Sequence, residues 1–229
     1  MAWSRIMAGF GRGVHELLAP VPPIAVCMSI AAGHSGDAGS ERMARGLIVW
    51  IGRRCWPYPP GLVGLGVGPS SGPGGCAKLL ERSVYVDPPT REDRLWAMDV
   101  ALRSPAAAVV VADARGLSMA GSRRLQLAAE AGGAIGLLAR PPDERGEISA
   151  AATRWLVSPG PPDALDPARP TWTLRLLRRK GLRPITEDAR DWTVRLDDGT
   201  RLVSVDADAA DRPAASARPG RWSRAAGSG

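Results

Sequence analysis

Asp113 closes a run of seven small apolar residues, Ala106 to Ala112, and an acid in that place has a specific chemistry open to it. A continuous apolar run suits a strand covered on both faces of a sheet. An acidic residue at the carboxyl end of such a strand lies where open α/β sheets hold their ligands, and in nucleotide-hydrolysing proteins it holds the magnesium ion. That chemistry needs a second part. A phosphate loop must supply glycines whose backbone N–H groups cradle the phosphates, followed by Lys and by Ser or Thr. Its place is after the first strand, Val14-His15-Glu16-Leu17-Leu18, where the chain reads Ala19-Pro20-Val21-Pro22-Pro23-Ile24. That stretch has no glycine, lysine or hydroxyl, and its three prolines remove three N–H donors. Gly68-Pro69-Ser70-Ser71-Gly72 imitates the loop. It has only three residues between its glycines, and Pro73 stands where Lys is needed. We read it as part of a flexible glycine-rich insertion, residues 61–78. Asp113 then reads as a remnant acidic position in a chain without a cofactor, a bound metal or catalysis.

A second set of residues suits nucleic acid. Arg175, Arg178, Arg179, Lys180 and Arg183 form the densest basic cluster inside the expected fold, with Trp172 beside them. Such cations contact phosphates in a salt-sensitive, sequence-independent way, and a tryptophan stacks on a base. The alternative is a solvated strand end and a core tryptophan. Trp56 and Tyr58, set among prolines, make a rigid aromatic segment that suits docking of a protein partner as well as it suits core packing. Trp96 and Trp155 read as core. His15 and Glu16 are neighbours on a strand, so they face opposite sides and do not form a dyad. Asp87 reads as a turn residue before Pro88-Pro89, and Ser118 and Ser122 as a helix cap and helix surface.

These residues need a scaffold, and the order of elements specifies it. Gly46 to Gly52 and Ser83 to Val86 are further strands, and residues 24 to 32 begin a helix. Thr90 caps a helix with Asp93 three residues on, and Leu95, Met98, Ala101 and Leu102 share one of its faces. Ser104-Pro105 ends that helix. After Asp113 come a turn, a helix from Ser118 to Ala131, the break Gly132-Gly133 and a strand from Ala134 to Ala139. Strand, helix, strand at this spacing is a βαβ unit, so the sheet is parallel. Arg140 to Gly146 reads as a loop. Residues 153–157, 172–177 and 192–196 alternate, which suits strands with one wet face, and Asp198-Gly199 turns the last of them into 201–205 as a hairpin. The chain divides into a domain over residues 1–206 and a disordered Ala/Pro/Arg tail over 207–229.

Composition fits this scheme. The chain has 229 residues, 45% hydrophobic and 23% charged, which is globular. The net charge of +7 favours acidic partners, nucleic acid first, although four of the surplus arginines lie in the tail after Asp211. Three cysteines with no CxxC and only two histidines argue against a structural zinc site and fit a reducing, cytoplasmic location. The apolar stretch 17–32 is interrupted by prolines and too short to span a membrane, so it reads as buried.

Longer blocks carry a family resemblance. HELLA, GLIVWIG with WPYPP, VYVDPP, DRLWAMDVALRSPAAAVVVAD, RRLQLAAEAGG, LLARPP, ISAAATRW and WTLRLLRRKG follow in order through residues 9–181 and resemble the ImuA family. The match is strongest from Val84 to Trp155. The resemblance implies an α/β fold of the RecA-like P-loop-NTPase type: a three-layer core with a mainly parallel sheet, antiparallel strands at the carboxyl edge and a degenerate phosphate loop. It implies a non-catalytic accessory protein of SOS-induced translesion DNA synthesis, that is, of damage-response mutagenesis and DNA repair. Its implied partners are an ImuB-type Y-family polymerase homologue, an error-prone replicative-type polymerase, the RecA recombinase and single-stranded DNA, with no membrane involved. In RecA-like enzymes a catalytic glutamate follows the second core strand, whereas here Arg53 follows Gly52. Two other readings stand beside the adaptor: a SulA-like cell-division inhibitor and an ATP-dependent recombinase-like ATPase.

Overall fold

The computed structural model describes residues 9–35, 45–57, 79–163, 166, 170–181, 191–196 and 202–204. The 61–78 insertion, the 207–229 tail, Tyr58, Arg183 and the Asp198-Gly199 turn lie outside these residues. The described chain forms β1 (Gly13–Leu18), α1 (Ile24–Ser35), β2 (Leu47–Ile51), β3 (Ser83–Val86), α2 (Arg91–Arg103), β4 (Ala107–Asp113), α3 (Met119–Gly132), β5 (Ile135–Arg140), β6 (Thr153–Pro159), β7 (Thr171–Arg179), β8 (Asp191–Leu196) and β9 (Leu202–Ser204). Among the described residues the sheet has nine strands in the order β3-β2-β4-β5-β1-β6-β7-β8-β9. Every pairing among β1 to β6 is parallel, and β7, β8 and β9 add in antiparallel fashion at one edge. The expected α/β architecture, with a parallel body and an antiparallel carboxyl edge, is the one observed.

Two cores, one on each face, make the three layers. Val26, Cys27 and Ile30 of α1 pack on Trp50, Val111, Leu137 and Trp155 on one face. Met98 and Leu102 of α2 and Leu125, Ala128 and Ala129 of α3 pack on Val49, Val110, Ala112 and Leu138 on the other. Every residue of β4 is buried, as a strand covered on both sides requires. α1 is apolar nearly all round, and its residues 26–31 are buried.

Local signals act as their chemistry demands. Thr90 accepts a hydrogen bond from the Asp93 amide at 3.1 Å, and Ser118 accepts one from the Gly121 amide at 3.2 Å. Gly133 ends α3 in the left-handed conformation at φ 69°. Asp99 of α2 reaches Arg103 of its own helix at 3.2 Å and Arg124 of α3 at 3.1 Å. Burial alone would push this carboxyl up, but the two guanidiniums outweigh it and hold it below the usual carboxylate range.

Four expectations are corrected. Arg140 is the last residue of β5 rather than the start of a loop, and Pro142–Gly146 is a 3-10 helix. β6 has no wet face over most of its length, because that helix covers Arg154. Ser122 is buried rather than on the helix surface, with its hydroxyl 2.9 Å from that of Ser149. Trp96 is 63% exposed rather than core. It falls outside the Leu95–Met98–Leu102 stripe by helical spacing, and its size does not draw it inward.

α2 and α3 approach so closely that a Cβ on Gly132 would stand 1.9 Å from the Leu102 carbonyl oxygen, whereas one on Gly146 would meet nothing within 4 Å. Gly132→Ala is therefore expected to lower unfolding free energy by about 1–3 kcal/mol. Gly146→Ala should stay within about 0.5 kcal/mol of the parent. Urea denaturation of both variants checks this pair.

Candidate functional site

The carboxyl halves of β1 and β5 and the amino end of β6 meet at a buried ionic network. Glu16 lies on the α3 side of β1 and is fully enclosed. Its Oε1 accepts hydrogen bonds from Arg140 at 2.9 Å and from the Ser149 hydroxyl at 2.7 Å. Its Oε2 stands 2.7 Å from Arg154 Nε, close enough for strong attraction although the N–H points off the oxygen. Arg140 also donates to Glu144 at 2.6 Å and to the Leu117 carbonyl at 3.1 Å. Arg154 donates to the carbonyls of Glu144 and Glu147 at 3.0 and 2.6 Å. Burial lowers the proton affinity of Arg140, but Glu16 and Glu144 reverse this and raise it. For Arg154 burial prevails, aided by the positive charge of Arg140 and Arg178, and its pKa is lowered. On the opposite face His15 bonds the Thr153 hydroxyl and the Gly11 carbonyl, both at 2.8 Å. His15 and Glu16 thus point apart, as strand geometry requires. The sequence reading missed the ionic network, whose only local trace was a glutamate inside an apolar strand.

Asp113 sits at the carboxyl end of β4, nearly buried. Its Oδ1 accepts from the Arg115 amide at 3.2 Å. Its Oδ2 faces two guanidiniums, Arg94 NH1 at 3.6 Å and Arg54 NH1 at 3.8 Å. A magnesium ion on this oxygen would have to share its space with two fixed cations, so the donor set does not fit a divalent metal. Among the described residues no group of three or more His, Cys, Asp or Glu side chains could hold a metal ion. Cys55, in the turn that follows the carboxyl end of β2, is buried, and burial together with the charge of Asp113 pushes its thiol up to about 12. Burial likewise pushes the Cys27 thiol up. Neither is a nucleophile at neutral pH.

The segment after β1 connects to α1, as a phosphate loop would, but with different chemistry. The Ala19 amide donates to the Arg140 carbonyl at 2.9 Å, and the Cys27 amide donates to the Pro23 carbonyl at 3.0 Å, which starts the helix. Between them Pro20, Pro22 and Pro23 offer no N–H. Beside this loop runs a groove of about 340 Å³, lined by residues 19–25, Val157, Ser158, Pro159 and Trp172. None of the lining residues is charged. Phosphates need donors and cations, and this lining supplies almost none. A nucleoside triphosphate with magnesium does not fit it.

The remaining sequence candidates separate in space. Trp172, Leu174 and Leu176 face the α1 side of β7. Alternation puts Arg175 on the opposite face. Arg154 pairs with Arg178 and Trp155 with Leu176, so Leu177 is an extra residue in the register. Arg175 forks onto Asp191, Arg178 donates to the Ala151 carbonyl at 2.6 Å, and Lys180 lies 3.6 Å from Glu130. Arg179 is exposed. Trp56 is half-buried and meets Tyr85 edge to face at 5.6 Å. Asp87 pairs with Arg53 at 2.6 Å. No helix among the described residues is long and apolar enough to cross a membrane.

Comparison with known proteins gives a distant resemblance. The chain is 30% identical over 152 residues to Protein ImuA of Caulobacter vibrioides strain NA1000 / CB15N, and equally to Protein ImuA of strain ATCC 19089 / CIP 103742 / CB 15. The alignment covers 61% of this chain and 58% of either relative, so the chain spans less than two thirds of their length. No family model matches the chain.

Glu16→Ala would strand two buried guanidiniums. The expected loss is about 3–5 kcal/mol of stability. Denaturant unfolding of the variant measures it, and a change below about 1 kcal/mol would mean that solvent or neighbouring carbonyls compensate.

Proposed function

We propose that this chain is a non-catalytic accessory protein of damage-induced mutagenesis. In this reading it acts in the cytoplasm as an adaptor for the machinery of translesion DNA synthesis. The observation that carries the reading is the carboxyl end of the sheet. The strand, loop and helix of a nucleotide site are in place, but the loop is proline in place of glycine and lysine, and the metal-position acid Asp113 is flanked by Arg54 and Arg94. A scaffold with that end closed serves by binding rather than by hydrolysis. The similarity to ImuA proteins supports the mutagenesis assignment. The partners this reading names are an ImuB-type Y-family polymerase homologue, an error-prone replicative-type polymerase and the RecA recombinase. Single-stranded DNA is a further candidate through Arg179 and its neighbours on β7.

The recombinase-like ATPase reading is opposed by the uncharged lining of the loop groove. No observation favours the cell-division inhibitor over the adaptor.

Affinity capture on the tagged full chain, with the purified ImuB-type polymerase homologue and RecA supplied separately, tests the proposal. Retention of at least one of them is the expected result. Retention of neither, by protein shown to be folded, would overturn the adaptor reading.

A further inference from the structure

A second cleft lies at the carboxyl end of β4, between the first turns of α2 and the turn that leads into α3. It holds about 210 Å³. Arg91, Arg94 and Arg115 line it, over an apolar floor of Leu95, Met98 and Leu117. Its lining carboxylates are Asp113 and Glu92, and Arg54 adds a fourth guanidinium beside Asp113. Cations therefore outnumber anions here.

The cations are also under-used. The separations of Arg94 and Arg54 from Asp113 Oδ2, 3.6 and 3.8 Å, exceed hydrogen-bonding distance. The Nε atom of Arg94 is buried with no acceptor. A buried donor of this kind is costly until an acceptor arrives. Arg91 is exposed, and its guanidinium lies over Gly116, so close that a Cβ there would stand 2.8 Å from it. A planar anion would supply the acceptor that Arg94 lacks, and a carboxylate matches a guanidinium in shape and charge.

The surroundings identify what carries that carboxylate. The floor is apolar, which suits the methylene groups of an acidic side chain. On the outward side of α2, Trp96 and Val100 stand one turn apart and are 63% and 46% exposed. Rigid exposed aromatics beside arginines are the composition of protein-docking surfaces. We propose that this cleft and the Trp96–Val100 ridge together form a docking site for a protein segment that pairs an acidic residue with an apolar one. The carboxylate enters among Arg91, Arg94 and Arg115, and the apolar side chain covers Trp96. The site deepens the adaptor reading by naming a contact surface for the partner, and it rests on that reading.

The test uses the full chain and two variants. Arg91→Gln with Arg115→Gln changes two exposed side chains, and Trp96→Ala removes the exposed ring; neither disturbs the core. The probes are fluorescent short peptides that combine Asp or Glu with Leu or Phe, the same peptides with Asn or Gln in place of the acid, and an oligo-dT strand. The expected result is saturable binding of acidic-apolar peptides, weakened about tenfold or more by each variant and by replacement of the acid. No peptide binding, equal binding by both variants, or binding of the oligonucleotide alone through the arginines would overturn the docking site. Capture of the polymerase homologue and RecA is run in parallel. Partner retention unaffected by both variants would end this inference and leave the adaptor reading standing. Loss of retention by the unmodified chain would end the adaptor reading itself.

Discussion

The pairing of Glu16 with Arg140 and Arg154 is the constraint on which the centre of the sheet depends. One carboxylate on β1 pairs with a guanidinium from each neighbouring strand, β5 and β6, in a place closed to water, and Glu144 supplies the second negative charge. Charges so enclosed are tolerable only when paired and hydrogen-bonded, and here the remaining donors are satisfied by Glu144 and by backbone carbonyls. The same residue that binds Glu16 through its side chain receives the Ala19 amide on its carbonyl oxygen. Arg140 therefore fixes both the alignment of the central strands and the point where the chain leaves β1 for the proline loop.

That departure point governs what the carboxyl end of the sheet can do. On the α1 side, the proline loop and Trp172 border an uncharged groove. On the α2–α3 side, the acid at the end of β4 is surrounded by guanidiniums, and a cleft with a surplus of positive charge opens beside it. Phosphate and magnesium require the reverse arrangement: donors and cations at the loop, and an unshielded acid at β4. The strand, loop and helix are arranged as in a nucleotide site but carry the opposite electrostatics, which is the physical content of the adaptor proposal.

Much of the fold was legible because its signals are local. The apolar run ending on Asp113, the caps at Thr90 and Ser118, and the Gly132-Gly133 break each act within a few residues. The opposite orientation of His15 and Glu16 followed from strand geometry alone. The ionic network was not legible. Glu16 and Arg140 are 124 residues apart, and nothing near either names the other. Arg140 and Arg154, read without partners, looked like loop and surface, and the wet face expected for β6 failed for the same reason. For Asp113 the missing lysine was visible, but Arg54 and Arg94 come from separate elements and only the fold brings them together. The basic cluster on β7 read either as one surface with Trp172 or as a solvated strand end beside a core tryptophan, and strand alternation puts Arg175 and Trp172 on opposite faces.

The central claim is that the carboxyl end of this sheet does not accept a nucleoside triphosphate with magnesium. Calorimetric titration of ATP and magnesium into the purified chain, with Asp113→Ala alongside, tests it most directly. The account predicts no saturable heat for either protein. Saturable binding that Asp113→Ala abolishes would contradict it, because the acid would then be holding a metal despite its two arginines.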